Sequence, residues 1–201
     1  MSTIDQAAAL KHFTNIDPII AECMQRQTQH HDPPQLPLPS DPKDYQRDLC
    51  KMIVYQQIST KAAEAIWQRI EPLLQQNDLS PETLRENGLS RQKASYIHGI
   101  HNSEVDLTQL DTMSDDQVIN QLTQLKGIGQ WSAEMFLMFS LARPDVFSIG
   151  DLGLRIAVAK LYEIDQNDHG AIEDITAKWS PHRTIASLSL WHMLDNRPLV
   201  L

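Results

Sequence analysis

The chain has 201 residues, 41% hydrophobic and 21% charged, with 7 Gly against 11 Pro. That composition is globular, not disordered or collagenous, and the length suits one domain or two small lobes. Its two cysteines, Cys23 and Cys50, cannot supply the four ligands of a structural zinc or a four-iron cluster, nor a disulfide framework, which points to an intracellular, reducing compartment such as a bacterial cytoplasm or a nucleus. No run of about 20 apolar residues suits a membrane span, residues 1–13 lack a signal-like pattern, and the net charge of -9 opposes casual binding to nucleic acid, which normally uses a basic surface.

Taken in order, almost every segment has helical period. Asp17 before Pro18 is an N-cap with proline at the first helical position, and Ile19, Ile20, Cys23 and Met24 then share a face. The prolines at 33, 34, 37, 39 and 42 predict an extended linker over 29–42, which carries His30 and His31. Residues 45–59 resume the period through Leu49, Met52 and Ile53, and Thr60 is expected to cap a second helix running to about 75. Ser80 caps a short helix stopping at Gly88, and Ser90 opens another with Ala94, Ile97 and Ile100 as its stripe. Ser114 and Gln117 form a capping box for a helix expected to end at Gly127. An apolar helix over 130–142 follows, ended by Pro144. Asp151 precedes a helix over 152–162, and two more are expected over 170–179 and from Pro181 to about 194. No strand and no internal repeat is evident, so the expected fold is all-α. Residues 1–42 are expected to add a helix or two to the lobe that holds the C-terminal helices.

Gly127 and Gly129 sit where the chain must reverse within three residues. Without Cβ atoms there, backbone N–H groups can point outward at the positive start of the next helix, which suits a phosphate and needs no Lys or Arg. A monovalent cation on the carbonyls of 125–129 could assist. Read alone, G-x-G fits a turn-closing hairpin equally well.

The wider pattern says more. The run Leu125-Lys126-Gly127-Ile128-Gly129-Gln130-Trp131-Ser132-Ala133 is followed by Asp145-Val146-Phe147 and Asp151. Residues 53–59 with Ala62 and Ala63, residues 88–90 with Lys93 and Ala94, and residues 181–184 with Leu190 and Trp191 complete it. Together, over roughly 45–195, they resemble the helix-hairpin-helix superfamily of DNA glycosylases, most of all its alkylpurine branch, the 3-methyladenine DNA glycosylase II family.

The resemblance implies one such domain of two helical lobes with a cleft between them. Residues 1–44 form N-terminal helices and linker, 45–162 a central lobe with the hairpin at 125–133, and 163–201 C-terminal helices packing with the N-terminal segment. It implies a damaged nucleotide flipped out of duplex DNA and 3-methyladenine or 7-methylguanine hydrolysed from the sugar. The family's essential aspartate falls on Asp151, whose carboxylate would stabilise an oxocarbenium-like sugar and orient water; read alone, Asp151 is also a helix cap. Relatives that cut the backbone carry a lysine where this chain has Trp131, so a water-using enzyme that leaves the abasic site intact is implied. The Trp131 indole would stack on a cationic base; read alone, Trp131 also fits a core tryptophan under the hairpin. Tyr55 and Trp191 fall on pocket positions, though core packing suits both equally. Gln57 falls on the wedge, with Gln56 bracing its loop. Gly127, Ile128, Gly129 and Lys126 fall on the DNA contact; Arg183, near the start of the last helix, could touch a phosphate, although a solvated or salt-bridged arginine is the usual case. The histidines lack ligand spacing, so neither metal nor cofactor is expected, and a monomer is the family's default. The acidic runs 104–116 and 165–174 are expected to face away from DNA, with Lys93, Lys126, Arg155 and Lys160 nearer it. Two other readings stay open: a non-catalytic DNA-binding module, and a same-fold glycosylase for hypoxanthine or ethenoadenine.

Overall fold

The structure, a computed structural model, describes residues 6–28, 35–75 and 79–194. Its helices in chain order are α1 (Gln6–Ile16), α2 (Pro18–Thr28), α3 (Tyr45–Tyr55), α4 (Thr60–Ile70), α5 (Pro81–Glu86), α6 (Arg91–His101), α7 (Asp115–Leu122), α8 (Gln130–Phe139), α9 (Leu152–Tyr162), α10 (His169–Thr176) and α11 (Arg183–Met193). Short 3₁₀ turns lie at Pro42–Asp44, Glu71–Gln75, Leu107–Thr112 and Ala177–Trp179, and no strand occurs among the described residues. The all-α expectation holds.

Most helix starts follow the capping chemistry legible in the chain. The hydroxyls of Ser59, Ser80, Ser90 and Ser114 accept the N–H three residues on, and Ser114 completes its capping box with Gln117. Ser59, not Thr60, caps α4, one residue earlier than expected. Larger departures occur where turns replace helix. α7 stops at Leu122, not Gly127, because Leu125 N and Ile128 N bond back three residues to Leu122 O and Leu125 O. α8 stops at Phe139, where Leu141 N turns back to Phe136 O and Ser40 N pairs with Ser140 O. Residues 35–41 have no regular structure, as the prolines require. His30 and His31 lie outside the described residues.

The chain divides into two units. In the unit spanning 39–141, α3 packs against α4, α6 and α8, and α7 against α8. Its core includes Tyr45, Leu49, Ile53, Ala94, Ile97, Leu122 and Phe136, with the Tyr45 and Phe136 rings edge to face at 5.3 Å. α8 is buried from Ser132 to Met138, Ser132 and Glu134 being the polar residues of that otherwise apolar stretch.

The other unit joins α1 and α2 to the chain after 142. α11 packs on α2 and α9, and α9 also meets α2 and α10, so residues 142–162 lie with the C-terminal helices, twenty residues before the division expected at 162. Its core includes Phe13, Ile20, Met24, Leu154, Val158, Trp179 and Leu190; each such large side chain contributes about 1.5–3 kcal/mol through burial.

Candidate functional site

In the unit of 39–141 the two hairpin glycines have different reasons to be glycine. Gly127 has φ +95, and a Cβ there would stand 2.4 Å from Tyr96 Cδ2, so both backbone and packing demand it. Gly129 has an extended backbone, φ -94 and ψ 178, and a Cβ there would meet no atom within 4 Å. Nothing inside the protein requires glycine at 129. Gly129 is the N-cap of α8 and, having no side chain, makes no side-chain cap bond to this start. Gly129 and Lys126 are exposed, while Ile128 is buried beneath them.

Gln56 braces this loop from the end of α3, its Nε2 donating to Gly127 O at 3.1 Å and to Ser132 Oγ at 3.5 Å. Lys93 Nζ in turn donates to Val54 O at 2.7 Å and Gln56 O at 2.5 Å, satisfying carbonyls at the C-terminal end of α3. Burial pushes the Lys93 ammonium pKa down. Its charge, expected nearer DNA, is engaged inside the fold. Between these braces Gln57 is exposed and held at φ +58, a left-handed conformation that strains a non-glycine residue. Trp131 is half-buried in the first turn of α8. Tyr55 donates its hydroxyl to Glu64 Oε2 and has Lys51 Nζ 5.7 Å from its ring centroid. Burial first, then Glu64, pushes the Tyr55 hydroxyl up to about 12.

In the other unit Asp151 is the N-cap of α9. Its Oδ1 accepts Leu154 N–H at 2.8 Å, and Trp191 Nε1 donates to the same oxygen at 3.1 Å. The aspartate is 9% exposed and Trp191 1%. Trp191, expected as a pocket wall, therefore has no open face to offer a base; its indole N–H holds Asp151 instead. Arg183, expected near a phosphate, is fixed internally: Nε meets Asp145 Oδ1 at 2.8 Å and Nη2 meets Oδ2 at 3.1 Å. Burial raises the Asp145 pKa, but hydrogen bonds from Arg183 and Ser180 outweigh it and hold the carboxyl below its ordinary value. Asp17 repeats the pattern of Asp151 at α2, its Oδ2 accepting Tyr162 OH at 2.7 Å and Trp179 Nε1 at 2.9 Å.

Among the described residues no group of three or more His, Cys, Asp or Glu is placed to hold a metal, and no helix is long and apolar enough to cross a membrane. Sequence reasoning located the N-cap at Asp151, the glycine hairpin and the Gln56 brace. It missed Tyr96, which dictates Gly127, and the engagement of Lys93 with Val54 and Gln56; both contacts cross more than thirty positions of chain and leave no local signal.

The family model described as "HhH-GPD superfamily base excision DNA repair protein" matches residues 50–182. The chain belongs to this HhH-GPD superfamily. A crystal structure of a DNA-3-methyladenine glycosidase from Bacillus halodurans is similar at 35% identity and TM-score 0.73, covering 92% of this chain and 88% of that one. A 3-methyladenine DNA glycosylase of Schizosaccharomyces pombe, solved in complex with abasic DNA, is similar at 26% identity and TM-score 0.70, covering 92% of this chain and 95% of that one. A Bacillus subtilis chain is 28% identical over 166 residues, which are 73% of this HhH-GPD chain and 58% of that relative's length; the chain thus spans little more than half of that relative.

Proposed function

We propose that this HhH-GPD protein is a monofunctional DNA glycosylase that removes alkylated purines, 3-methyladenine and 7-methylguanine among them, from duplex DNA in base excision repair. The observation that carries the reading is Asp151: a carboxylate 9% exposed, fixed through Oδ1 by a main-chain and an indole N–H. Such fixation suits a group that must meet a developing positive charge without reorganising. The relatives named for 3-methyladenine support the substrate class.

In this mechanism the bond from C1′ to the purine nitrogen breaks and its electron pair leaves with the base. N3 or N7 methylation has already made that base a cation, so it departs neutral and needs no protonation. The Asp151 carboxylate stabilises the oxocarbenium-like sugar; water adds at C1′ and gives up its proton to the carboxylate. Trp131 offers an indole face to the cationic purine, and Gln57, presented by its braced loop, fills the space the flipped nucleotide leaves. Gly129 and the first amides of α8 bind a backbone phosphate, aided by Lys126, with a monovalent cation on the carbonyls of 125–129 as a further support. Trp131 stands where a lyase would need an amine, so the sugar–phosphate backbone stays whole.

The test is methylated duplex DNA incubated with the protein, released bases separated by chromatography and the strand examined before alkali. Free methylpurines from an unbroken strand are expected. Immediate strand cleavage would refute the monofunctional assignment, and binding without any base release would favour a non-catalytic module or another lesion.

A further inference from the structure

Arg155 lies one helical turn beyond Asp151 on α9, at the fourth position of the helix. Its Nη1 donates to Ile149 O at 3.0 Å, so the guanidinium is strapped beside the turn that carries the catalytic carboxylate. That carbonyl is its one hydrogen-bond partner among the described residues, and no carboxylate there lies within ion-pair distance. Its Nε is buried without an acceptor. Buried or half-buried charge is normally paired, and a chain with 26 acids against 17 bases has acids to spare. Arg183 and Arg47 follow the rule, meeting Asp145 and Glu71. Arg155 does not.

The Arg155 Nε is closed to solvent, so the donors left for an anion from outside the chain are those of the Nη1–Nη2 edge, whose paired N–H groups match phosphate oxygens. Four residues of helix advance about 6 Å, comparable to the span between a sugar's C1′ and a phosphate flanking the same nucleotide. A carboxylate that must approach that sugar is itself repelled by the DNA backbone, and a cation one turn away offsets the repulsion. Resting on the glycosylase reading above, we infer that Arg155, not Arg183, is the arginine of this unit that grips a DNA phosphate, the one flanking the flipped nucleotide.

The test is the affinity for duplex containing a stable abasic analogue, read by fluorescence anisotropy across a salt series. Arg155→Gln is expected to weaken binding several-fold, up to about tenfold at low salt, and to reduce the slope of log K against log salt by about 1, while Arg155→Lys keeps the slope. In a second arm that leaves the protein intact, replacing one flanking phosphate by a neutral methylphosphonate lowers the wild-type slope by the same amount, and does nothing further to Arg155→Gln. Unchanged slopes in both arms overturn the inference. So does loss of base release by Arg155→Gln with affinity and slope intact, which would leave Arg155 only a strap on the 149–151 turn. A wild type that does not bind the abasic duplex overturns the glycosylase reading, and the inference with it.

Discussion

Asp17 and Asp151 each sit at a helix start and each accept an indole N–H, from Trp179 and Trp191 respectively. Asp17 also receives the Tyr162 hydroxyl, from the opposite end of the helix that Asp151 caps. Nothing in the residues next to each aspartate tells them apart, since Asp followed by a helix reads as a cap in both cases; only the longer pattern from the hairpin onward singles out Asp151. The Trp191 assignment was the less legible part. A tryptophan on an apolar helix reads equally as stacking surface or core, and its bond to Asp151 spans 40 positions. If its indole N–H positions the carboxylate, Trp191→Phe should lower the rate of base release about tenfold, equivalent to about 1–2 kcal/mol of lost hydrogen bonding. Affinity for abasic duplex should hold. In an Asp151→Asn background the same change should cost much less, as coupled residues do. Equal losses in both backgrounds, measured by single-turnover release, would make Trp191 a packing residue only.

At the scale of the hairpin, α7 and α8 were legible because capping and apolar period are local signals. The early end of α7 was not, because the turn bonds at Leu125 and Ile128 compete with helix only once the loop is anchored by Gln56 and packed on Tyr96. The two glycines give this element a paired prediction. Gly127→Ala puts a Cβ into Tyr96 and a side chain at φ +95, and should destabilise the fold by about 1–3 kcal/mol, or roughly 2–4 °C of Tm per kcal/mol in a chain of this size. Gly129→Ala meets no atom and should stay within about 0.5 kcal/mol of the parent, yet lose affinity for duplex because its methyl occupies the path of the phosphate. Thermal melts and anisotropy on the two variants separate these effects; a Gly129→Ala protein that binds as the parent does would remove 129 from the DNA contact.

Over the whole molecule, part of the acidity that argued against DNA binding serves helix starts. Asp41, Asp106, Asp151 and Asp168 accept N–H groups at helix or 3₁₀ starts, and Asp115 and Asp116 lie in the first turn of α7, where negative charge complements the dipole. Net charge is blind to such placement. Two groups in the unit that holds Asp151 link its stability to pH. Burial, then the neighbouring His12, lowers the His182 pKa below 6.5 against a smaller opposing effect of Asp145. The fold therefore favours neutral His182, and its contribution is complete above 6.5 and lost as pH falls through the folded value. Asp145, held below 3.8, is lost only in stronger acid. Tm should fall between pH 7 and 5, less so in His182→Gln, with a second fall below pH 4 that Asp145→Asn removes. Melts followed by circular dichroism check this, and a Tm flat from 7 to 5 would contradict it.

The most direct measurement of the central claim compares wild type and Asp151→Asn on methylated duplex DNA at low salt, with released bases resolved by chromatography. Asparagine still caps a helix, so the variant should fold and bind abasic duplex as the parent does. The account predicts that wild type frees methylpurines and that the variant frees them at least about a hundredfold more slowly. Equal release by both proteins would show that the carboxylate of Asp151 is a helix cap and nothing more.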